Sequence, residues 1–438
     1  MWKLSQYNYF IEYSKNDSWL AYNTRTSALA ILDKDKYEMF KRFEDNRNTE
    51  LLDNKFLEDL NYGGFIIQDN INELDLIKAR LLPTRYSTES LGLTIATTMN
   101  CNLGCIYCYE KNNKTQKNMS MEVQEKILSL VKSKIKTLKG MSIYWYGGEP
   151  LLGIDIIRHI SQEVIAQCEE NEVNYSAGIV TNGYFLNRSI AEELKKYKIE
   201  RVQVTLDGPD YIHDVRRPLI GGQPSFEKII NNIVEVSDLF RIAIRINTDA
   251  TNQTAVDEVL GVIKEKNLKD KVSIYLANVH DANGCYNTNT CLTTENFTKL
   301  SYEFDKRAHE QGYNTNFHRL PIPIGSYCTA DTYNSYVIDP EGYIYSCWHD
   351  VGNPEKSYSN LINKQFQGNS KLNLDYLNYE PYNDEYCKNC KLLPSCMGGC
   401  PSARITNTGD RCSEMKFILE KKIIDYATSI IENKMSNV

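Results

Sequence analysis

Three cysteines packed into one short stretch, Cys101-Asn-Leu-Gly-Cys105-Ile-Tyr-Cys108, constrain this chain more than any other feature. The pattern is C-x3-C-x2-C and follows the largely apolar run Leu91 to Met99. Three neighbouring cysteines cannot all pair as disulfides. A structural zinc site takes four protein ligands, usually with a second pair some distance away. A [4Fe-4S] cube is held by thiolates, and three of them leave one iron without a protein ligand. The spacing favours that open cube and leaves zinc-bound and metal-free readings standing.

The rest of the composition narrows the setting. A chain of 438 residues should hold two or three domains. A formal net charge of -7 argues against a dedicated nucleic-acid binder. No apolar run is long enough for a membrane span, and Met1-Trp-Lys-Leu-Ser-Gln lacks a signal-peptide core. The expected location is cytoplasmic, with no membrane and no nucleic-acid partner. There, thirteen cysteines read as metal ligands rather than disulfides.

Residues 1–85 open with aromatic-rich strand candidates at Tyr7–Tyr13, Trp19–Tyr22 and Ala28–Leu32. A helix carrying Tyr37, Phe40 and Phe43 follows Asp33, and a second holds Leu52, Phe56, Leu57 and Leu60 before the stop Gly63-Gly64. Then come a strand at Phe65–Ile67, a helix from about Glu73 to Leu82, and a linker from Pro83 to Ser90. From Leu91 the pattern alternates. Strands at Leu91–Thr97, Ser142–Tyr146, Tyr175–Val180, Arg201–Leu206, Ile242–Asn247 and Lys271–Leu276 are separated by amphipathic helices. Six such units predict an α/β fold with a parallel sheet curved into a partial (β/α)6 TIM-like barrel, residues 86–310. Chemistry in such barrels gathers at the C-terminal strand ends. Cys101–Cys108, Gly147-Gly148-Glu149-Pro150, Thr181-Asn182-Gly183 and Thr205-Leu206-Asp207 all fall there. Residues 311–438 begin with a hairpin, Tyr336–Tyr345, and end in a helix through Ile423, Tyr426 and Ile430, expected to pack back on the barrel.

Cys101, Cys105 and Cys108, with aromatic Tyr107 before the last, resemble the signature of radical S-adenosylmethionine (SAM) enzymes. The resemblance implies a cluster whose open iron is chelated by SAM. Cleavage of SAM then yields a 5′-deoxyadenosyl radical that abstracts hydrogen from a substrate. It also implies that Gly147, Gly148, Glu149 and Pro150 form the motif receiving the SAM amino group, through the Glu149 side chain or neighbouring carbonyls. Thr205 corresponds to a hydroxyl reaching the SAM ribose. Arg217 closes a His-Asp-x-x-Arg string that recurs in the subfamily, with a salt-bridged loop arginine as the plainer reading. Arg245 and Asn247 would face SAM or substrate.

The remaining cysteines run Cys328-x13-Gly342-x4-Cys347, then Cys387-x2-Cys390-x5-Cys396-x3-Cys400, then Cys412. Their order resembles the SPASM domain, an iron–sulfur extension of radical SAM enzymes. By that resemblance Cys387, Cys390, Cys396 and Cys412 hold one auxiliary [4Fe-4S] cluster. Cys328, Cys347 and Cys400 hold another, making three clusters with the SAM-binding one. Some relatives carry a further cysteine where Asn334 stands here, so the fourth ligand is open between Cys285, Cys291, a substrate thiolate and none. Cys168 reads as a buried free thiol.

The element order of residues 1–85 is similar to a winged-helix-like module that binds the leader of a precursor peptide as an added edge strand. The implied function is a peptide maturase installing an oxidative crosslink (thioether, carbon–carbon or carbon–oxygen). An external one-electron donor such as flavodoxin or ferredoxin would serve it. The alternatives are an anaerobic sulfatase-maturating, formylglycine-forming enzyme and a non-catalytic zinc or electron-transfer protein. No residue stands out as the catalytic base; Asp207, Asp281 and Asp350 are polar candidates.

Overall fold

Alternation of side chains along each strand decides what the two faces of these sheets can touch. The computed structural model describes residues 1–13, 17–46, 52–113, 117–281, 283–407 and 411–436. The chain forms two compact units. One comprises Met1–Tyr86, Phe317–Asp331 and Asn378–Val438; the other comprises Ser87–Asn316 and Thr332–Leu377.

In the first unit, β1 (Trp2–Leu4) pairs antiparallel with β5 (Ile66–Gln68). β2 (Asn8–Tyr13), β3 (Ser18–Asn23) and β4 (Ala28–Leu32) form an antiparallel sheet. The short strand β1 carries no pattern of its own that sequence reading could find. On one face of the sheet, Ala21 and Leu32 pack with Phe40 and Phe43 of the helix Lys34–Asn46 and with Phe56 and Leu60 of the helix Asn54–Tyr62. On the other, Ile11, Tyr13, Leu20 and Tyr22 meet Leu419, Ile423 and Ala427 of the helix Met415–Ser436. The final helix is therefore found on this small sheet rather than in its expected place on the barrel. The reason is that β2 and β3 are apolar on both faces and need two covers. The helix Glu73–Arg85 also runs past its expected end, through Pro83. The buried Arg85 anchors that last turn by donating to the Tyr379 carbonyl at 2.5 Å.

In the second unit, β6 (Ser90–Ala96), β7 (Gly140–Tyr146), β8 (Asn174–Thr181), β9 (Ile199–Thr205), β10 (Arg241–Thr248) and β11 (Val272–Asn278) pair in parallel in that order. The hairpin β12 (Ser335–Ile338) and β13 (Tyr343–Tyr345) turns at Gly342, whose φ is +81°. β12 joins parallel to β6, and β14 (Ser359–Asn360) follows β13, so one sheet holds nine strands. The helix-facing residues Ile143, Trp145, Val202, Val204, Ile242, Ile244 and Ile246 form the core and are essentially solvent-free. Cys168 is buried in that core, and burial pushes its thiol up to about 11. Among the described residues no helix is long and apolar enough to cross a membrane.

Candidate functional site

The opposite faces of the same parallel strands carry mostly polar and aromatic side chains, with Val180 and Ala243 among them, in place of a full aliphatic layer. Barrels of this kind usually fill the interior with bulky branched side chains. Here Tyr144, Tyr146, Arg201, Gln203, Thr205, Ala243, Arg245 and Asn247 line one cavity of about 800 Å³. Because side chains from β7 through β11 share it, the sheet is curved around it.

The cavity opens at the C-terminal strand ends onto Cys101, Cys105, Tyr107 and Cys108. The Cys101 thiol accepts from the Leu103 amide at 3.4 Å and from Asn182 Nδ2 at 3.8 Å. Asn182 also donates to Asn102 Oδ1 at 2.8 Å, so the β8 turn holds the cysteine loop directly. That role sets Thr181-Asn182-Gly183 apart from an ordinary turn.

Gly147 and Gly148 line the cavity next to the cysteines. Neither tolerates a side chain. A Cβ on Gly147 would lie 2.4 Å from the Thr98 carbonyl oxygen, and one on Gly148 would lie 2.3 Å from that of Asn100. The close approach lets the Gly148 amide donate to Thr98 O and the Glu149 amide to Asn100 O, at 3.1 and 2.9 Å. Glu149 itself is fully buried. Its carboxylate accepts from the Leu151 amide, Thr181 Oγ1 and the Asn182 amide at 3.0, 2.7 and 2.7 Å. Burial raises its pKa, and those three donors oppose the rise. The side chain thus ties the β7 turn to the β8 turn, and the glycine backbone is the part that meets the cavity.

Tyr107 and Arg217 form the other wall. Arg217 Nη1 donates to the Tyr107 hydroxyl at 2.7 Å, as does Asn247 Nδ2 at 3.0 Å. Burial disfavours the Arg217 cation, but Cys105, Tyr107 and Asp207 outweigh it and push its pKa well above the usual value. Arg216, which sequence reading passed over, lies 5.0 Å from the Tyr107 ring centre and pairs with Asp207 and Asp249 at 3.2 and 2.9 Å. Asp207 is thereby committed to an ion pair. Asp281 accepts from the Cys285 and Tyr286 amides, and Asp350 pairs with Lys356 at 3.0 Å. None of these three carboxylates lines the cavity.

The His-Asp-x-x-Arg string builds the scaffold behind Arg217. The Ser225 hydroxyl donates its one proton to the Arg217 carbonyl at 2.6 Å, so it accepts from His213 Nε2 at 3.2 Å. His213 Nδ1 then accepts the Asp207 amide at 3.3 Å, which identifies a neutral imidazole. Burial, then Arg217 and Arg216, hold its pKa well below the ordinary value. Asp214 accepts from the Ser225 and Phe226 amides, both at 2.8 Å. His280 and His349, at the cavity rim, are also depressed, first by burial; His349 falls to about 4.

The residues present fit a three-thiolate cluster. Three thiols share one end of a roomy cavity, and the buried Nε of Arg217 beside Cys105 has no hydrogen-bond partner among the described residues. Among those residues, no three His, Cys, Asp or Glu side chains are placed to hold one metal ion. The thiolates of a cube bind separate irons and need not converge on a point.

In the first unit, Cys387, Cys390, Cys396 and Cys412 line a single small cavity with Leu392, Leu393 and Arg411. Burial pushes the Cys387 thiol up to about 11 and raises that of Cys396. Four thiols around one small space also fit a cluster. Gly399 has φ +72°, and a Cβ there would lie 1.7 Å from the Arg411 carbonyl oxygen. Cys328 and Cys400 lie within charge–charge range of each other. Cys347 belongs to the second unit, just past β13. Asn334 donates to the Ser90 carbonyl at 2.8 Å and so holds the sheet edge. The Cys285 thiol contacts the carbonyl of Tyr109, one residue beyond Cys108, at 3.7 Å, while Cys291 turns to Asn287 O at 3.8 Å.

Comparison with known proteins adds a lineage. Residues 95–250 match the radical SAM superfamily. An uncharacterised protein from Methanocaldococcus jannaschii is 31% identical over 163 residues, 37% of this chain and about half (53%) of that protein. A cysteine-type anaerobic sulfatase-maturating enzyme from Clostridium novyi is 25% identical over 375 residues, covering 76% of this chain and 96% of that enzyme. Two solved structures share the fold. One is anSMEcpe with bound AdoMet and Kp18Cys peptide, at TM-score 0.58 and 22% identity, over 80% of this chain and all of that one. The other is Streptococcus suis SuiB bound to its precursor peptide SuiA, at TM-score 0.55 and 17% identity, over 94% and 99%.

Proposed function

We propose that this radical SAM enzyme is a peptide maturase that oxidatively crosslinks a ribosomally made precursor. The observation that carries the reading is the hollow barrel interior, onto which three cysteines, two obligate glycines and Thr205 all open. Cys101, Cys105 and Cys108 would hold the SAM-binding [4Fe-4S] cluster. The Gly147–Pro150 backbone, Thr205, Tyr107 and Arg217 would shape the SAM site. When bound, cluster and SAM supply a 5′-deoxyadenosyl radical that takes a hydrogen atom from the substrate. The chain's own part is to seat the substrate in the cavity and exclude competing reactions. Buried Glu149 ties the β7 and β8 turns together, buried Asp207 pairs with Arg216, and neutral His280 and His349 can accept hydrogen bonds at the rim.

Cys387, Cys390, Cys396 and Cys412 would hold one auxiliary cluster, and Cys328, Cys347 and Cys400 another, as acceptors for the electron lost by the substrate radical. Residues 1–85 would recognise the leader, residues 86–310 house the radical chemistry, and residues 311–438 act as the SPASM domain. The edge for the leader is β4. Among the described residues β4 pairs only with β3, and Ile31 is 49% exposed. The full-length likeness to a peptide-bound maturase supports this reading. Formylglycine formation on a sulfatase-type peptide is the second reading, favoured by the relatives of that activity.

The test is anaerobic reconstitution with iron and sulfide, then SAM and dithionite. We expect 5′-deoxyadenosine and about twelve irons per chain. Zinc in place of iron, or no 5′-deoxyadenosine, refutes the radical reading. Mass spectrometry of a co-expressed precursor then separates a crosslink (loss of two hydrogens) from formylglycine. Leader recognition is better probed by Ile31→Pro on the β4 edge than by deleting residues 1–85. Deletion would strip the partners of Leu392, Leu419 and Ile423.

A further inference from the structure

The cavity's charge is more unusual than its size. Among the described residues four arginines line it against one carboxylate, Glu110. Arg217 and Glu110 sit at the cysteine end, which leaves Arg201, Arg241 and Arg245 in excess. Among the described residues none of the three is ion-paired, whereas neighbouring Arg216 has two carboxylate partners. Arg201 and Arg241 stand directly opposite each other in the β9–β10 ladder, as do Thr205 and Arg245. Like charges placed side by side cost energy unless a counter-charge joins them.

Arg201 and Arg241 are both solvent-exposed, yet Arg201 turns across the cavity face of the sheet rather than away from it. Its Nη1 reaches across β8 to the Tyr144 hydroxyl on β7, at 3.2 Å. Gly178 makes room for that crossing, since a Cβ there would lie 2.8 Å from the Tyr144 ring. Arg241 shares its strand face with Ala243 and Arg245, so its small neighbour leaves the space above it open.

We propose that Arg201 and Arg241 form a carboxylate-binding floor to the barrel cavity, so that the modified segment of the substrate carries an anionic group. This rests on the peptide-maturase reading and specifies its substrate class. The floor lies four strand residues below the level of Thr205 and Arg245, or about 13 Å at about 3.3 Å per residue. An extended peptide spans that in about four residues. The carboxylate belongs either to an acidic side chain at that spacing from the reacting residue or to the peptide's own C-terminus. Paired guanidinium forks suit a carboxylate from either source.

Binding of short peptides to the reconstituted, SAM-loaded enzyme tests this by calorimetry. The probes are acetyl-tetraglutamate amide against acetyl-tetraglutamine amide, and acetyl-tetraalanine as free acid against its amide. A preference of about ten-fold for the glutamate peptide, lost in R201Q/R241Q and weakened by salt, assigns the floor to acidic side chains. The same pattern for the free acid assigns it to a C-terminus. R241Q alone, at an exposed position, covers the case in which the double variant misfolds. No charge preference in either pair, or a preference that survives the substitutions, means solvated cations only and overturns the proposal. Formation of 5′-deoxyadenosine by the wild-type enzyme, measured separately, reports on the radical reading and not on the floor.

Discussion

The two best-formed cysteine sites differ in what surrounds them. Cys101, Cys105 and Cys108 sit on a short loop at the mouth of a cavity of about 800 Å³ lined by arginine, asparagine and tyrosine. Cys387, Cys390, Cys396 and Cys412 surround a void of about 20 Å³ walled by Leu392 and Leu393. An open site with three thiols can admit a ligand. The four-thiol site is the more confined of the two. It also borrows its walls. Cys390 and Cys396 pack beside Tyr9, Leu20 and Tyr22 of the N-terminal sheet, and Cys387 beside Tyr7.

The largest expected effect breaks the comparison outright. Replacing Cys101, Cys105 and Cys108 with alanine should remove 5′-deoxyadenosine formation to below detection and lower iron by about four per chain. Replacing Cys387 and Cys412 should cost a similar amount of iron but leave SAM cleavage without peptide measurable. Iron analysis beside product chromatography checks both.

Two glycines sharpen the contrast at smaller cost. Gly148→Ala overpacks the cysteine loop, by about 1–3 kcal/mol, and should weaken SAM binding at least ten-fold while sparing the four-cysteine site. Gly399→Ala should do the reverse, lowering iron content with SAM affinity unchanged. Equal damage at both sites from either variant would erase the distinction.

Thr24 probes the borrowed wall. Its buried hydroxyl donates to the Lys391 carbonyl, in the loop between Cys390 and Cys396. Thr24→Val leaves that carbonyl without its donor and should cost about 1 kcal/mol, seen as a lower thermal midpoint and altered auxiliary-cluster electron paramagnetic resonance. An unchanged spectrum would mean that the module only covers the site.

The smallest effect is a pH dependence in the barrel unit. His213 is neutral when folded, with its pKa held below the ordinary value. The unfolded chain takes up that proton near pH 6.5. Its contribution to stability is therefore complete above about pH 6.5 and is lost as pH falls below it. His213→Asn should flatten the slope of urea-unfolding stability in that range by at most about 1.4 kcal/mol per pH unit. An unchanged slope would assign the acid sensitivity elsewhere.

Much of the architecture was legible because periodicity is local. Six strands with aliphatic residues on alternate positions, each followed by an amphipathic helix, leave few alternatives to a parallel sheet. The helix Met415–Ser436 was misplaced because its apolar stripe fits any apolar face, and only the assembled unit shows that β2 and β3 are apolar on both. Arg216 was missed for a related reason. Its partners Asp207 and Asp249 lie far apart in sequence, and a lone arginine carries no signal of burial.

What the sequence by itself determined is the set of thiols, their spacing and the order of strands, since these follow from residue identity and short-range repeats. What only the tertiary structure decided is which groups remain free to act. It committed Glu149 to a neighbouring turn and Asp207 to Arg216, grouped the N-terminal sheet with the four-cysteine site, and left Arg201 and Arg241 without a carboxylate partner among the described residues. Such outcomes depend on distances between residues that chain connectivity does not fix. A buried charge is settled by whichever partner the fold brings within reach.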